Sequence, residues 1–245
     1  MLGEEGAYAF AADAALMWVR PDAFAAGTAR PVLAAAEEAG FWPLAVRPVR
    51  AERCAVRALW AYMVRWATAE RLMLLDAVAA LGPGLLVLWA DGTPGPVSTR
   101  MKVLKGSNDP ARRRKGTLRA VAGAPNRVLT MLHTTDDAAD VVRELAVLCS
   151  WSERARLIAE ASRRLCEGRS AGLEDALRAV EKELSPLGPP PQQSAACAPP
   201  VQQVFTGPVG ERWRAVVAAS QSWPLLRATP GPAAWPEQET RSPWR

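Results

Sequence analysis

The chain contains one histidine, His133, and the residues around it could make its imidazole a nucleophile. Arg127-Val-Leu-Thr-Met-Leu-His133 is a short run of β-branched and apolar residues, which predicts a buried strand ending at the imidazole. Thr134-Thr135-Asp136-Asp137 follows, a cluster of helix N-caps. The next segment has Val141, Val142, Leu145 and Leu148 on one helical side, with Glu144 among them. A strand thus delivers His133 to a turn, and Glu144, about two helical turns along, is placed to reach back to one ring nitrogen. A carboxylate there fixes the tautomer and makes the other nitrogen the better nucleophile. The plainer alternative is a histidine that packs or caps at a strand end.

A second feature calls for an anion. Between Ser98 and Arg119 stand eight basic residues (Arg100, Lys102, Lys105, Arg112, Arg113, Arg114, Lys115, Arg119) against Asp109 alone. The whole chain carries only +5, so the remainder is slightly acidic. Nucleotide phosphates, a nucleic-acid backbone or an acidic partner would satisfy such a patch, and a solvated loop is the bland reading. The tetrad Arg112 to Lys115 has no interleaved aromatic platform, so nucleic acid is not the expected partner.

The elements that must position these groups follow from the pattern. Ala14 to Arg20 reads as a strand stopped by Pro21, and Thr28 to Ala39 as a helix ended by Gly40. Phe41 to Val49 reads as a second strand, Ala51 to Leu81 as one or two helices, and Leu85 to Trp89 as a third strand. A short helix is expected at Pro96 to Leu104, then a long loop from Gly106 to Asn126, of a length that is usually functional or disordered. This order is a split βαβ pattern. It predicts an α+β, ferredoxin-like four-stranded antiparallel sheet with helices packed on one face. Beyond Cys149, Trp151 to Cys166 and Gly172 to Ser185 are helical by pattern. Leu187 to Pro200 reads as a Pro-rich linker, with one more short helix from Glu211 to Leu226 and a largely disordered tail. The expected division is a lead at 1–13, a domain at 14–150, a helical extension at 151–186 and the linker and tail at 187–245.

The four cysteines lack metal-ligand spacing and read as reduced thiols, so a zinc site is not expected. The acidic start is unlike a secretory leader, and the apolar stretch Leu72 to Ala90 is broken by Asp76 and Gly82-Pro83-Gly84. A soluble cytoplasmic protein without a membrane span is the expectation.

Several motifs occur in order: Arg20-Pro21-Asp22, Gly82-Pro83, Lys105-Gly-Ser-Asn-Asp-Pro110, Gly116-Thr-Leu-Arg119, His133-Thr-Thr-Asp136, and Glu144 eleven residues after the histidine. Over roughly residues 14 to 148 this set resembles the nucleoside diphosphate kinase family. The resemblance implies transfer of a γ-phosphoryl group from a nucleoside triphosphate to a diphosphate through a phosphohistidine, with Mg²⁺ carried on the nucleotide. It implies His133 as the phosphorylated residue, Glu144 as its orienting carboxylate, Arg119 as a phosphate-binding arginine, Thr135 in place of a serine near the histidine, and Tyr62 as an active-site tyrosine. Four positions are changed. Arg20 stands where the family has an essential lysine; among the nucleotide- and phosphate-binding positions, Lys102 replaces an arginine, Asn108 a threonine and Thr130 an asparagine; Asn126 lies too far upstream to replace the last. No aromatic in Ala67 to Leu74 aligns with the family's base-stacking position. Two readings follow: a phosphotransferase with altered geometry, or a catalytically weak or inactive nucleotide-binding scaffold of the same fold. The resemblance also implies a homo-oligomer, and the C-terminal extension leaves room for a protein partner.

Overall fold

The computed structural model describes residues 10–64, 67–93, 95–189 and 199–222. Its sheet has four strands: β1 (Ala15–Val19), β2 (Trp42–Val49), β3 (Gly84–Ala90) and β4 (Leu132–Thr134). They lie in the order β2-β3-β1-β4, and every pairing is antiparallel. Between β1 and β2 run α1 (Pro21–Ala25) and α2 (Ala29–Glu38). The β2–β3 connection holds α3 (Arg53–Leu59), α4 (Ala61–Val64) and α5 (Ala69–Ala79). After β3 come α6 (Val97–Lys105) and α7 (Leu118–Val121); after β4 come α8 (Ala138–Leu148), α9 (Trp151–Glu167), α10 (Glu174–Glu183) and α11 (Val209–Ser222). The predicted α+β class and ferredoxin-like order match this architecture.

Helices cover both faces of the sheet, not one. Every residue of β1 and β3 is buried, so each face of these strands needs an apolar cover. Ala15, Met17 and Val19 with Leu85, Val87 and Trp89 face one core, closed by α2, α5, α10 and α11. Leu16 and Trp18 with Leu86, Leu88 and Ala90 face the other, closed by α3, α8 and α9. Apolar continuity in Leu85–Trp89 held that information, because a one-sided sheet would alternate polar and apolar residues.

Two local expectations change. The strand predicted from Arg127 is only Leu132–Thr134. Leu132 N donates to Thr130 O at 2.7 Å, and Met131 between them has φ of +64°. A tight turn at a non-glycine residue costs about 1–3 kcal/mol and persists only where its surroundings hold it. Here Arg20 N donates to Met131 O at 2.9 Å and Met131 N to Asp22 Oδ2 at 3.1 Å. The segment Gly106 to Asn126 is not bare loop either, since it contains a 3-10 turn at Pro110–Arg112 and helix α7.

The extension beyond Cys149 packs on the domain. Arg164 Nη1 donates to Leu44 O at 2.8 Å and Ala171 N to Pro43 O at 2.7 Å, both carbonyls of edge strand β2. An edge whose carbonyls are taken internally offers little to a further strand. Part of the region predicted as linker and tail is ordered: a 3-10 turn at Val201–Val204 precedes α11, whose Trp213, Val216 and Val217 are buried. Cys197, Trp235 and Trp244 lie outside the described residues. Among the described residues no helix is long and apolar enough to cross a membrane.

Candidate functional site

His133 sits opposite Trp18 where β4 pairs with β1. Cross-strand neighbours project on one face, so both rings point to the side that α8 covers. Asp137 caps α8 by accepting from Asp140 N at 3.0 Å, which fixes where the helix starts. Glu144, two turns on, then reaches back to His133 Nε2, with Oε2 at 2.9 Å and Oε1 at 3.0 Å. A carboxylate at Nε2 selects the tautomer protonated there and leaves the Nδ1 lone pair free. Among the described residues nothing bonds Nδ1, and the histidine side chain is 12% exposed. Glu144 is buried and also accepts from Arg143 Nη2 at 3.0 Å.

Trp60, at the end of α3, covers this pair. Its ring meets His133 edge-on at 5.6 Å between centroids and Trp18 at 6.1 Å. The Arg20 guanidinium carbon lies 5.4 Å from the same ring. Tyr62, the aromatic assigned from the resemblance, is 66% exposed on α4, two residues away. The clustering of Trp60, Tyr62 and Trp66 in the sequence signalled an aromatic here, but not which one the chain would turn inward. Replacing Trp60 with alanine is expected to loosen both Arg20 and His133. A partly desolvated cation–aromatic contact contributes about 0.5–2 kcal/mol, so modification at His133 should slow about fivefold. Tyr62→Ala, measured in the same histidine-labelling assay, should leave the rate unchanged.

Arg20 is buried, and its Nη1 and Nε face groups inside the protein. Nη1 donates to Thr130 Oγ1 at 2.6 Å and to Val128 O at 3.4 Å, and Nε stands 3.3 Å from Asp22 Oδ1. Nη2 has no partner among the described residues. Thr130 therefore orients Arg20. Burial pushes the Asp22 carboxyl up, against the pull of Arg20.

Arg119, on α7, is also buried. Nη1 donates to Gly106 O at 2.9 Å, while Nε has no hydrogen-bond partner among the described residues. Burial first, then the neighbouring charges of Arg20 and Arg113, push its pKa down to about 10, which leaves it cationic at neutral pH. Gly106 makes this contact possible: φ is +80°, and a Cβ there would stand 2.6 Å from Thr117. Arg113 reaches Ser107 O at 3.3 Å and also the Ala124 carbonyl, so it pins the basic segment while adding charge beside Arg119. Asn108 contributes its backbone carbonyl to Arg113 Nη2 at 3.5 Å.

The turn after His133 is held by two lysines. Lys105 Nζ donates to Thr134 O at 3.1 Å and to Asp136 Oδ1 at 2.9 Å, and Lys102 Nζ stands 3.2 Å from Asp136 Oδ2. Lys105 is nearly buried and was absent from the site read from sequence; its position one helical turn after Lys102 was the available signal. Burial pushes the Asp136 carboxyl up, but Lys105 and Lys102 outweigh this and hold it at about 2. A folded pKa below the ordinary 3.8 gives stability that is complete above that value and lost as pH falls toward 2. The urea midpoint of the native chain should therefore exceed that of Asp136→Asn at pH 5, with the gap closing as pH drops to 2.

Thr135 does not face His133. It is fully buried, and its Oγ1 accepts from Leu16 N at 3.1 Å and lies 3.1 Å from Ser98 Oγ, which donates to Ala14 O. It lies just past the end of β4, where its bonds to Leu16 and its contact with Ser98 turn it toward β1 and α6 and lock the strand end.

The site thus defines a class: a carboxylate-held histidine on an antiparallel sheet, in a fold that also buries the cations Arg20 and Arg119. Among solved structures the chain is similar to the Aquifex aeolicus nucleoside diphosphate kinase, at TM-score 0.48 and 19% identity over 58% of this chain and 97% of that one. It is similar to a nucleoside diphosphate kinase family protein from Babesia bovis, at 0.45 and 20% over 57% and 93%. A Halobacterium salinarum nucleoside diphosphate kinase in complex with CDP matches at 0.46 and 17% over 57% and 93%. No protein-family profile and no curated protein matches the chain.

Proposed function

We propose that this chain is a nucleoside diphosphate kinase-like phosphotransferase that works through phospho-His133. The observation that carries the reading is the bonding of His133, with Nε2 on Glu144 and, among the described residues, Nδ1 open. The Nδ1 lone pair attacks the γ-phosphorus of a nucleoside triphosphate, the bond to the β–γ bridging oxygen breaks, and the diphosphate leaves. Glu144 stabilises the positive charge that develops on the ring. A second nucleoside diphosphate then takes the phosphoryl group and restores neutral His133. Arg119 with Lys102 and Arg20 Nη2 face the equatorial oxygens, and Asn108 lies on the same basic segment. Spare donors aimed at developing negative charge do most of the work in such transfers.

Mg²⁺ would arrive on the nucleotide and neutralise phosphate charge. The residues fit that mode, because Glu144 is engaged by His133 and Arg143, Asp22 by Arg20 and Met131 N, and Asp136 by Lys102 and Lys105. Among the described residues no cluster of histidine, cysteine and carboxylates could hold a metal by itself. The resemblance also implies a homo-oligomer. Cytoplasmic location agrees with the free thiols of Cys54, Cys149 and Cys166.

The test is incubation of the full chain with γ-labelled ATP and Mg²⁺. The expected result is acid-labile, alkali-stable label on His133, discharged by added diphosphates. No label, under conditions that label an ordinary nucleoside diphosphate kinase, would leave the binding-scaffold reading in its place.

A further inference from the structure

Helix α11 is remote from His133 in sequence, yet it is tied to the segment that leads into β4. Asn126 Nδ2 donates to Ser220 Oγ at 3.0 Å, and Ser220 Oγ donates to Val217 O at 2.7 Å. The other end of the same amide is also engaged, because Asn126 Oδ1 accepts from Val128 N and Leu129 N at 2.9 Å each. An amide held at both ends cannot turn without giving up all three bonds. The backbone it fixes runs into groups already described: Val128 O and Thr130 Oγ1 take Arg20 Nη1, and Met131 is clamped by Arg20 and Asp22. Arg20 in turn lies on Trp60, which packs on His133.

The post at the far end is firm. Trp213, Val216 and Ala219 of α11 are buried in the core beneath the sheet, and Arg212 Nη1 donates to Ala80 O at 2.8 Å. Ser220 itself is buried. A helix serving only to fill the core would not need a polar contact to the turn before the histidine strand.

We propose that α11 is a positioning element of the His133 site, acting within the same chain through the Ser220–Asn126 hydrogen bond. Ser220 sets the orientation of Asn126, Asn126 sets the backbone at Val128 and Leu129, and that backbone sets Arg20. The kinetic part of this inference rests on the phosphotransferase reading; the structural part does not.

The experiment uses the full chain with Ser220→Ala, the conservative Ser220→Thr, and Leu177→Ala on α10 as a core control outside α11. Two quantities are measured: amide hydrogen exchange at Val128 and Leu129, and the rate of His133 labelling at saturating Mg²⁺-ATP. Ser220→Ala should speed exchange at both amides and slow labelling, each about five- to tenfold, with half-saturation little changed. Ser220→Thr should restore both. Leu177→Ala should lower the unfolding midpoint but, where the protein is folded, keep the labelling rate. Unchanged exchange in Ser220→Ala overturns the proposal, and so does an equal loss of labelling in Leu177→Ala or, in Ser220→Ala, faster exchange with native labelling. Should the native chain take no label at all, the phosphotransferase reading fails on its own. Exchange then decides the positioning claim: threonine-reversible loss of protection upholds it, and native protection overturns it.

Discussion

His133→Gln is expected to abolish phosphoryl transfer, lowering turnover by roughly 10³-fold or more. Glutamine can still reach Glu144 with an amide donor, so the variant should fold with a melting temperature close to that of the native chain. Its side chain has no basic nitrogen, and therefore no lone pair able to attack phosphorus. Arg119 and the neighbouring cations remain, so Mg²⁺-nucleotide should still bind. Labelling with γ-labelled ATP, next to a nucleotide titration by calorimetry, separates the two effects. Residual turnover within tenfold of native would remove the imidazole from the chemistry. Equal loss of binding would instead mean that the substitution had damaged the pocket.

Asp22→Ala is expected to be the most destabilising single change near the site, at about 3–5 kcal/mol. Arg20 and Asp22 are both buried, and burial works against the charged form of each. The pair therefore adds little net stability compared with an apolar pair of the same shape. Removing one member is another matter, since Arg20 is then left as a buried charge without its counter-ion. The variant also deprives Met131 N of its acceptor, at a residue already held in the left-handed region. Asp22→Asn retains an acceptor for that amide and should lose less, by roughly 1 kcal/mol. Urea denaturation of the three proteins at pH 7 measures the order. The same variants should lose His133 labelling, because Arg20 and the turn before β4 depend on Asp22.

Much of the sheet was legible because its signals are local. Leu85–Trp89 is a continuous apolar run and Ala15–Val19 another, and in each case the strand lies within a residue or two of that run. The same continuity implied cover on both faces, which a reading of element order alone missed. Arg127 to Met131 misled for a local reason too. Its residues have strand propensity, but buried bonds from Arg20 and Asp22, more than a hundred residues away in the chain, override that preference at Met131.

The site divides along the same line. Sequence spacing alone determined that Glu144 could reach His133, since eleven residues of turn and capped helix bring a side chain back by about two turns. It also determined that the segment from Arg100 to Arg119 is cationic. Which groups face the imidazole was decided only by tertiary structure. Trp60 turns inward and Tyr62 outward, Lys105 is buried although Lys102 is not, and Thr135 bonds β1 rather than the histidine. Ser220, from a helix expected to lie in a mostly disordered region, ends beside Asn126. The physical reason is range: helix caps and strand periodicity act over a few residues, whereas burial of a polar group depends on whichever distant partner satisfies its hydrogen bonds.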